Sequence, residues 1–363
     1  MTDNAPEAES IKAAFGATNR ARLINAYFAE RGGTIAPGEA WAHVYRLLLW
    51  IDQTTGLAHC YESDKSQPGK RWYLRSLAFH DWVASALNTT PEKLAENLDW
   101  LFLRAAKDLA AEVLRNAAKI ATVAQRQRAP YEGKGFPQPG EDPELVALIK
   151  RELGTHLVAE ASPEVWARLV QQIRQYLALD NKRKNLVGEG FEDVLAQVAR
   201  RAYPNPNVSV HVRKILHELP GFNRAKKGEK PNKVDVAIVK PDRRILITAK
   251  WSVRADREKQ FITDYSDYVQ AESDNQPFDY VFITNEFDPA RLMRACEKLV
   301  SNSPMFTHVV HINTDGLRAT YGAADAAGAA EEQSDSMRKV LEFVDKGRLI
   351  GLNAWLQSMA ETP

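Results

Sequence analysis

Between residues 233 and 264, three kinds of chemically useful side chain stand at short, fixed offsets. Asp235 interrupts an apolar run, Val234-Asp235-Val236-Ala237-Ile238-Val239, and Lys250 closes another, Ile245-Leu246-Ile247-Thr248-Ala249-Lys250. Arg254, Asp256 and Arg257 follow the lysine. Hydrolysis of a phosphodiester needs a more nucleophilic water and a leaving oxygen whose charge is neutralised. A hard divalent cation does both and prefers carboxylate oxygens. A nearby lysine orients the water or stabilises the charged transition state. Burying a lone carboxylate in an apolar strand is costly, so Asp235 is expected to have a compensating partner. Two arginines bracketing an aspartate suit G·C pairs: guanine offers N7 and O6 to a bidentate arginine, and cytosine offers an N4 donor to a carboxylate. The competing account is a structural ion pair for Asp235 and Lys250 and an exposed salt-bridge cluster at a helix start for the other three.

The surrounding pattern supplies the elements that must position these groups. Val234–Val239 and Ile245–Lys250 flank the turn Pro241-Asp242-Arg243 and predict a hairpin, which brings the strand ends within reach of one ion. A helix is predicted from Arg254 to about Glu272, with Tyr265 and Tyr268 facing the sheet. Further strands are predicted at 208–212, Tyr280–Thr284 and His308–Ile312, and a helix from Asp288-Pro289 to about Val300. Upstream, helices are expected at Pro143–Leu153, Pro163–Leu179 and about Gly188–Tyr203, and residues 9–127 read as mostly helical around a polar loop at 62–70. Helical pieces are expected near 334–344 and 352–359, with a loose Ala/Gly-rich connection at 322–332. The order implies an α/β class: a mixed sheet flanked by helices, with an N-terminal helical domain. The dense Pro/Gly stretch 129–143 divides the chain into a helical domain (1–128), a linker (129–143) and a catalytic domain (144–363).

Composition narrows the classes. Hydrophobic residues make up 44% of the 363, with eight tryptophans, which argues for packed globular structure and against disorder. The net charge of +1 excludes a basic coat protein, yet lysines and arginines cluster at 182–184 and at Arg224, Lys226, Lys227, Lys230 and Lys233. Such patches fit a nucleic-acid groove or, equally, a solvated loop face. Two cysteines, Cys60 and Cys296, lack disulfide or zinc spacing and fit a reducing cytoplasm. The polar N-terminus is unlike a signal peptide, and no apolar run is long enough for a membrane span. His308 and His311 point to opposite faces of their strand and do not suggest a metal pair. Trp251, next to Lys250, is expected to pack.

Residues 185–315 resemble the PD-(D/E)XK nuclease superfamily, and within it the type II restriction endonucleases that cut at CCGG-containing sites, the BsaWI-, AgeI- and NgoMIV-like group. In that group Ser or Thr commonly stands two residues before the lysine, and the displaced carboxylate comes from the next helix, fourteen residues after it. Here Thr248 and Asp264 hold those places, and Arg254-Ala255-Asp256-Arg257 lies at the group's recognition position. Many relatives carry Glu where Asp264 stands, which leaves Glu258 as the fallback. The superfamily often adds a glutamate on a preceding helix; Glu192 is the candidate here, with Glu189 and Asp193 as competitors.

The resemblance implies a magnesium-dependent site-specific endonuclease on double-stranded DNA. Asp235, Asp264 and Glu192 would hold the metal, Lys250 would assist the water, and Arg254, Asp256 and Arg257 would read bases. A palindromic site implies a homodimer, formed or stabilised on DNA, and a cytoplasmic role in restriction–modification and phage defence. Two other readings stay open: a nuclease of the same fold with little base specificity, and a non-cleaving DNA-binding protein, since Thr248 stands where ordinary members keep a catalytic glutamate.

Overall fold

The computed structural model describes residues 6–50, 71–138, 140–159, 161–224, 231–253, 258–326 and 334–361. The loop expected at 62–70, Cys60, Lys226, Lys227, Lys230 and residues 327–332 lie outside them. Helices in chain order are α1 Pro6–Phe15, α2 Ala17–Ala29, α3 Ala40–Leu48, α4 Arg71–Ala86, α5 Pro91–Asn97, α6 Trp100–Arg115, α7 Ala117–Arg128, α8 Pro143–Leu153 and α9 Pro163–Ala202. They continue with α10 Glu258–Ala271, α11 Pro289–Glu297, α12 Thr314–Ala326, α13 Asp335–Asp345 and α14 Leu352–Glu361. Strands are β1 Ser209–Ile215, β2 Lys233–Val239, β3 Arg244–Lys250, β4 Phe278–Thr284, β5 Leu299–Val300, β6 Ser303–Pro304, β7 His308–His311 and β8 Leu349–Gly351. None of the described helices is long and apolar enough to cross a membrane.

Six strands form one mixed sheet in the order β1-β2-β3-β4-β7-β8. β1, β2 and β3 pair antiparallel; β3–β4, β4–β7 and β7–β8 pair parallel. Each parallel step is bridged by helix, as a parallel crossover requires: α10 before β4, α11 before β7, and α12 with α13 before β8. β3 is central and buried along all but its last residue, which accounts for its unbroken apolar run. α10 lays Phe261 and Tyr268 on the sheet, and Tyr265 stacks on Tyr280 at 5.7 Å between ring centroids.

Two compact units emerge. A helical unit comprises Met1–Leu23 and Phe102–Leu186, and a sheet unit comprises Ile24–Leu101 and Val187–Pro363. In the helical unit, Phe15 meets Phe102, and Ile149, Trp166 and Val170 form a small core between α8 and α9. In the sheet unit, Tyr45 donates to buried Asn285 at 2.8 Å and Phe79 packs edge-on against Phe287. The Pro/Gly stretch 129–143 does interrupt the helices, but the compact units are cut elsewhere. Prolines and glycines mark where the chain turns; they carry no information about which helices share a core.

Several elements differ from expectation. The two helices expected at Pro163–Leu179 and Gly188–Tyr203 are one 40-residue helix, α9. No proline interrupts it after its first residue, and its two glycines, Gly188 and Gly190, cost a helix only about 1 kcal/mol each. Burial of Phe191, Val194, Leu195 and Val198 offsets that cost. α11 stops at Glu297, and residues 299–304 turn back as the β5–β6 pair. α12 runs through Gly322 to Ala326, where a loose connection was expected, because it buries Leu317, Thr320 and Tyr321. Its Gly316 admits the Trp82 ring, which a Cβ there would meet at 2.9 Å.

Candidate active site

The predicted hairpin forms and carries both central groups. The β2–β3 ladder runs from Val239↔Arg244 to Val236↔Ile247. Beyond its last pair the Asp235 carboxylate takes over. Its Oδ2 accepts from the Ala249 N–H at 2.9 Å, from Lys250 Nζ at 2.7 Å and from Thr248 Oγ1 at 3.4 Å. Asp235 thus has the partner its burial demands, and the partner is the lysine. Both side chains keep solvent access, 20% for Asp235 and 33% for Lys250, so a substrate can reach them. Thr248 is buried and supports Asp235 through its hydroxyl.

Two further carboxylates converge on this pair. Glu192, 8% exposed on α9, is pushed up to about 7 by burial first and then by the Asp235 charge; Arg213 and Lys250 pull the other way. Asp264 on α10 is pushed up to about 6, chiefly by burial, with Asp235 adding and Asn232 and Lys250 opposing. The three carboxylates and Lys250 therefore share one electrostatic neighbourhood. Among Glu192's competitors, Glu189 is exposed and Asp193 pairs with Arg213. Glu258, the fallback for Asp264, is held by the guanidinium of Arg294 through both carboxylate oxygens, at 2.6–3.0 Å.

Sequence reading missed two supporting residues. Arg213 sits on β1 between the ladder pairs Val212↔Val236 and Lys214↔Val234, opposite Asp235, with φ at +50°. That left-handed conformation inside a strand is costly for a residue with a Cβ. It directs the guanidinium to Glu192 Oε2 at 2.8 Å, to the Glu189 carbonyl at 3.1 Å and to Asp193. Asn232, just before β2, donates to Asp267 at 3.1 Å and to Asp264 at 3.5 Å. Neither has a local sequence signal, since each acts across the fold.

Among the described residues, no three His, Cys, Asp or Glu side chains form a preassembled metal cage. The expected trio Asp235, Asp264 and Glu192 is close enough to interact but does not enclose a ready ion position. The donor set nevertheless fits a hard cation: every donor is a carboxylate oxygen, and a positive ion would favour the ionised forms that burial, with the Asp235 charge adding, holds back at Glu192 and Asp264. Magnesium commonly takes only one or two protein carboxylates, completing its shell with water and substrate phosphate.

Arg254, Asp256 and Arg257 lie outside the described residues. Trp251 packs as expected, 5% exposed and edge-on to Phe191 at 5.2 Å. His311 is fully buried; its Nδ1 accepts from the Asn313 N–H at 3.1 Å and its Nε2 donates to the Glu286 carbonyl at 3.1 Å.

No protein-family model matches this chain, and no curated protein matches it. Among solved structures, it shows a distant likeness to metal-depleted Ecl18kI in complex with uncleaved, modified DNA, with 10% sequence identity over 95% of this chain and 99% of that one. The TM-score is 0.28, too low for fold or function to rest on it.

Proposed function

We propose that this chain is a PD-(D/E)XK nuclease of the type II restriction class, cleaving double-stranded DNA at a palindromic site containing CCGG. The observation that carries the reading is the 2.7 Å contact of Lys250 Nζ with Asp235 Oδ2 at the open end of the β2–β3 hairpin, with Glu192 and Asp264 drawn into the same field. A purely structural ion pair would not need two more carboxylates beside it, one buried and one half-buried, at a cost visible in their raised pKa values.

In this reading Asp235, Asp264 and Glu192 hold Mg2+, in part through water and substrate phosphate. When bound, such an ion polarises a phosphoryl oxygen and lowers the pKa of its water. The chain's own groups do the rest. Lys250 presents its ammonium to the charge that develops on the phosphoryl oxygens. Arg213 holds the Glu192 carboxylate and Asn232 holds that of Asp264, so both face the hairpin end. Arg254 and Arg257 read guanines and Asp256 reads cytosine amino groups. A palindrome calls for two copies related by a dyad, assembled on DNA.

A second reading retains DNA binding and drops cleavage. It is favoured by Thr248, whose hydroxyl serves Asp235 in place of a ligating carboxylate, and by the lack of a preassembled cage among the described residues. Digestion of a fully sequenced plasmid in Mg2+, beside Lys250→Ala, separates the two. Discrete cuts at CCGG-containing sites, absent in the variant, support the restriction reading. Scattered cuts leave a nuclease with little base specificity. Tight site-specific binding without cuts supports the second reading.

A further inference from the structure

Each of the three carboxylates at the hairpin end engages one of its oxygens with the rest of the chain. Asp235 accepts from Thr248, Ala249 and Lys250, all on Oδ2. Glu192 accepts from Arg213 on Oε2, and Asp264 accepts from Asn232 on Oδ1. Among the described residues, Asp235 Oδ1, Glu192 Oε1 and Asp264 Oδ2 accept no hydrogen bond. Open oxygens on neighbouring carboxylates are the donors a hard cation takes.

A cation of the chain's own already sits against one of them. Arg213 stands opposite Asp235 in the β1–β2 ladder, and its guanidinium is shared by Glu192 Oε2, Asp193 and the Glu189 carbonyl. The Glu192 side chain is 10% exposed and that of Arg213 29%, so water screens this pair incompletely. A guanidinium keeps its charge at every working pH and has no lone pair to offer a metal. An ion bound at Glu192 Oε1 therefore meets a fixed positive charge on the far side of the same carboxylate. Orientation alone does not call for that charge. Asp264 is held by a neutral amide, that of Asn232, from an ordinary backbone, whereas Glu192 is held by an arginine at φ +50°. The affinity of an oxygen site for a hard cation follows the charge gathered around it.

We infer that Arg213 is the resident counter-cation of the proposed metal site: it neutralises Glu192 before a metal arrives and lowers the affinity of the site for a divalent ion, which binds against its charge. The inference rests on the reading of Asp235, Asp264 and Glu192 as metal ligands. It goes beyond orientation of Glu192, because the charge of Arg213 and its hydrogen bonds then have separate and opposite effects. The bonds aim the carboxylate at the hairpin end, and the charge weakens what that carboxylate can hold. An ion held this loosely leans on water and substrate phosphate to complete its shell.

The test is calorimetric titration of the full chain with Ca2+, without DNA, at about pH 8.5, where Glu192 is ionised with or without a bound metal. Wild type is compared with Arg213→Gln, Arg213→Gly and Arg213→Lys, and Asp235→Asn reports where the ion binds. Arg213→Gln keeps a donor for Glu192 and drops the charge. Arg213→Gly drops both and relaxes the backbone. Arg213→Lys keeps the charge and loses the fork. The expected result is a Ca2+ affinity about tenfold above wild type in Arg213→Gln, and within about twofold of wild type in Arg213→Lys. Arg213→Gly also binds more tightly than wild type. A merely structural role would instead weaken Ca2+ binding in all three variants, in step with their melting temperatures. An Arg213→Gln affinity at or below wild type, an Arg213→Lys affinity that matches Arg213→Gln, or loss of the folded state in both uncharged variants overturns the inference and leaves the metal reading intact. Wild type that binds no Ca2+, or binds it unchanged after Asp235→Asn, overturns the metal reading and the inference with it.

Discussion

Arg213 Nη1 donates to Glu192 Oε2 at 2.8 Å from a backbone that arginine seldom adopts, φ +50° in the middle of an edge strand. Strain of this kind persists where the surrounding structure over-determines it. Here the guanidinium also reaches Asp193 and the Glu189 carbonyl, so one strained residue orders the carboxylate-rich turn of α9.

Arg213→Ala leaves Glu192 buried beside Asp235 without its guanidinium. We expect a loss of about 2 kcal/mol, roughly half the cost of breaking a fully buried pair, since Arg213 is partly solvated. Arg213→Gly loses the same contacts but relaxes the left-handed backbone, and should be about 1 kcal/mol more stable than the alanine variant. Urea unfolding of the three proteins checks the order. Equal stability of the Ala and Gly variants would show that the φ carries no strain.

Lys250→Ala removes the ammonium and leaves Asp235 with the Ala249 N–H and Thr248 hydroxyl. Single-turnover cleavage should fall by about 10²- to 10³-fold, the scale of losing one group that stabilises transition-state charge. The melting temperature should change little, because the pair is partly exposed. A variant that still cuts at the wild-type rate would remove Lys250 from the mechanism.

Burial, reinforced for both by the Asp235 charge, raises Glu192 from 4.5 to about 7 and Asp264 from 3.8 to about 6. The folded state therefore binds these protons more tightly than the unfolded chain. Their favourable contribution is full below the ordinary carboxylate values and is lost as pH rises through about 6 and then about 7. Metal-free protein should lose stability over that window, and saturating Ca2+, which binds the ionised forms, should reduce the loss. Cleavage in Mg2+ should rise over the same window. Melting curves across the window, with and without Ca2+, give the sign; a Ca2+ effect that is independent of pH would count against these two groups as the ligands.

Asn232→Ala removes the amide that donates to Asp264 and Asp267. Without that donor the Asp264 carboxyl holds its proton to higher pH. The acid limb of the cleavage profile should move up by as much as about half a pH unit, the scale of one weak hydrogen bond. Rates on the alkaline plateau should stay near wild type. A uniform fall at every pH would instead mark Asn232 as a structural support of β2.

The hairpin was legible in the residues themselves. β-Branched runs on either side of Pro241-Asp242-Arg243 could pair only as neighbours, and Asp235 and Lys250 occur where an apolar strand would not otherwise carry them. Asp264 was indicated only by the resemblance, fourteen residues after Lys250; the sheet-facing side of α10 was legible from Tyr265 and Tyr268. Tertiary structure alone decided the rest. Glu192 was preferred over Glu189 and Asp193 through the resemblance alone, and only the position of α9 against β1 and β2 buries the first and exposes the second. Glu258 and Asp264 are both acidic residues of one helix, and only the tertiary structure pairs the former with Arg294 and brings the latter into the field of Asp235 and Lys250. Arg213, Asn232 and the α12 helix are invisible locally because their stabilising partners lie far along the chain, at Glu192, at Asp264 and at Trp82. Backbone pattern is a local property set by sterics and hydrogen bonding over a few residues, whereas burial and charge coupling depend on which distant surfaces the packed core brings together.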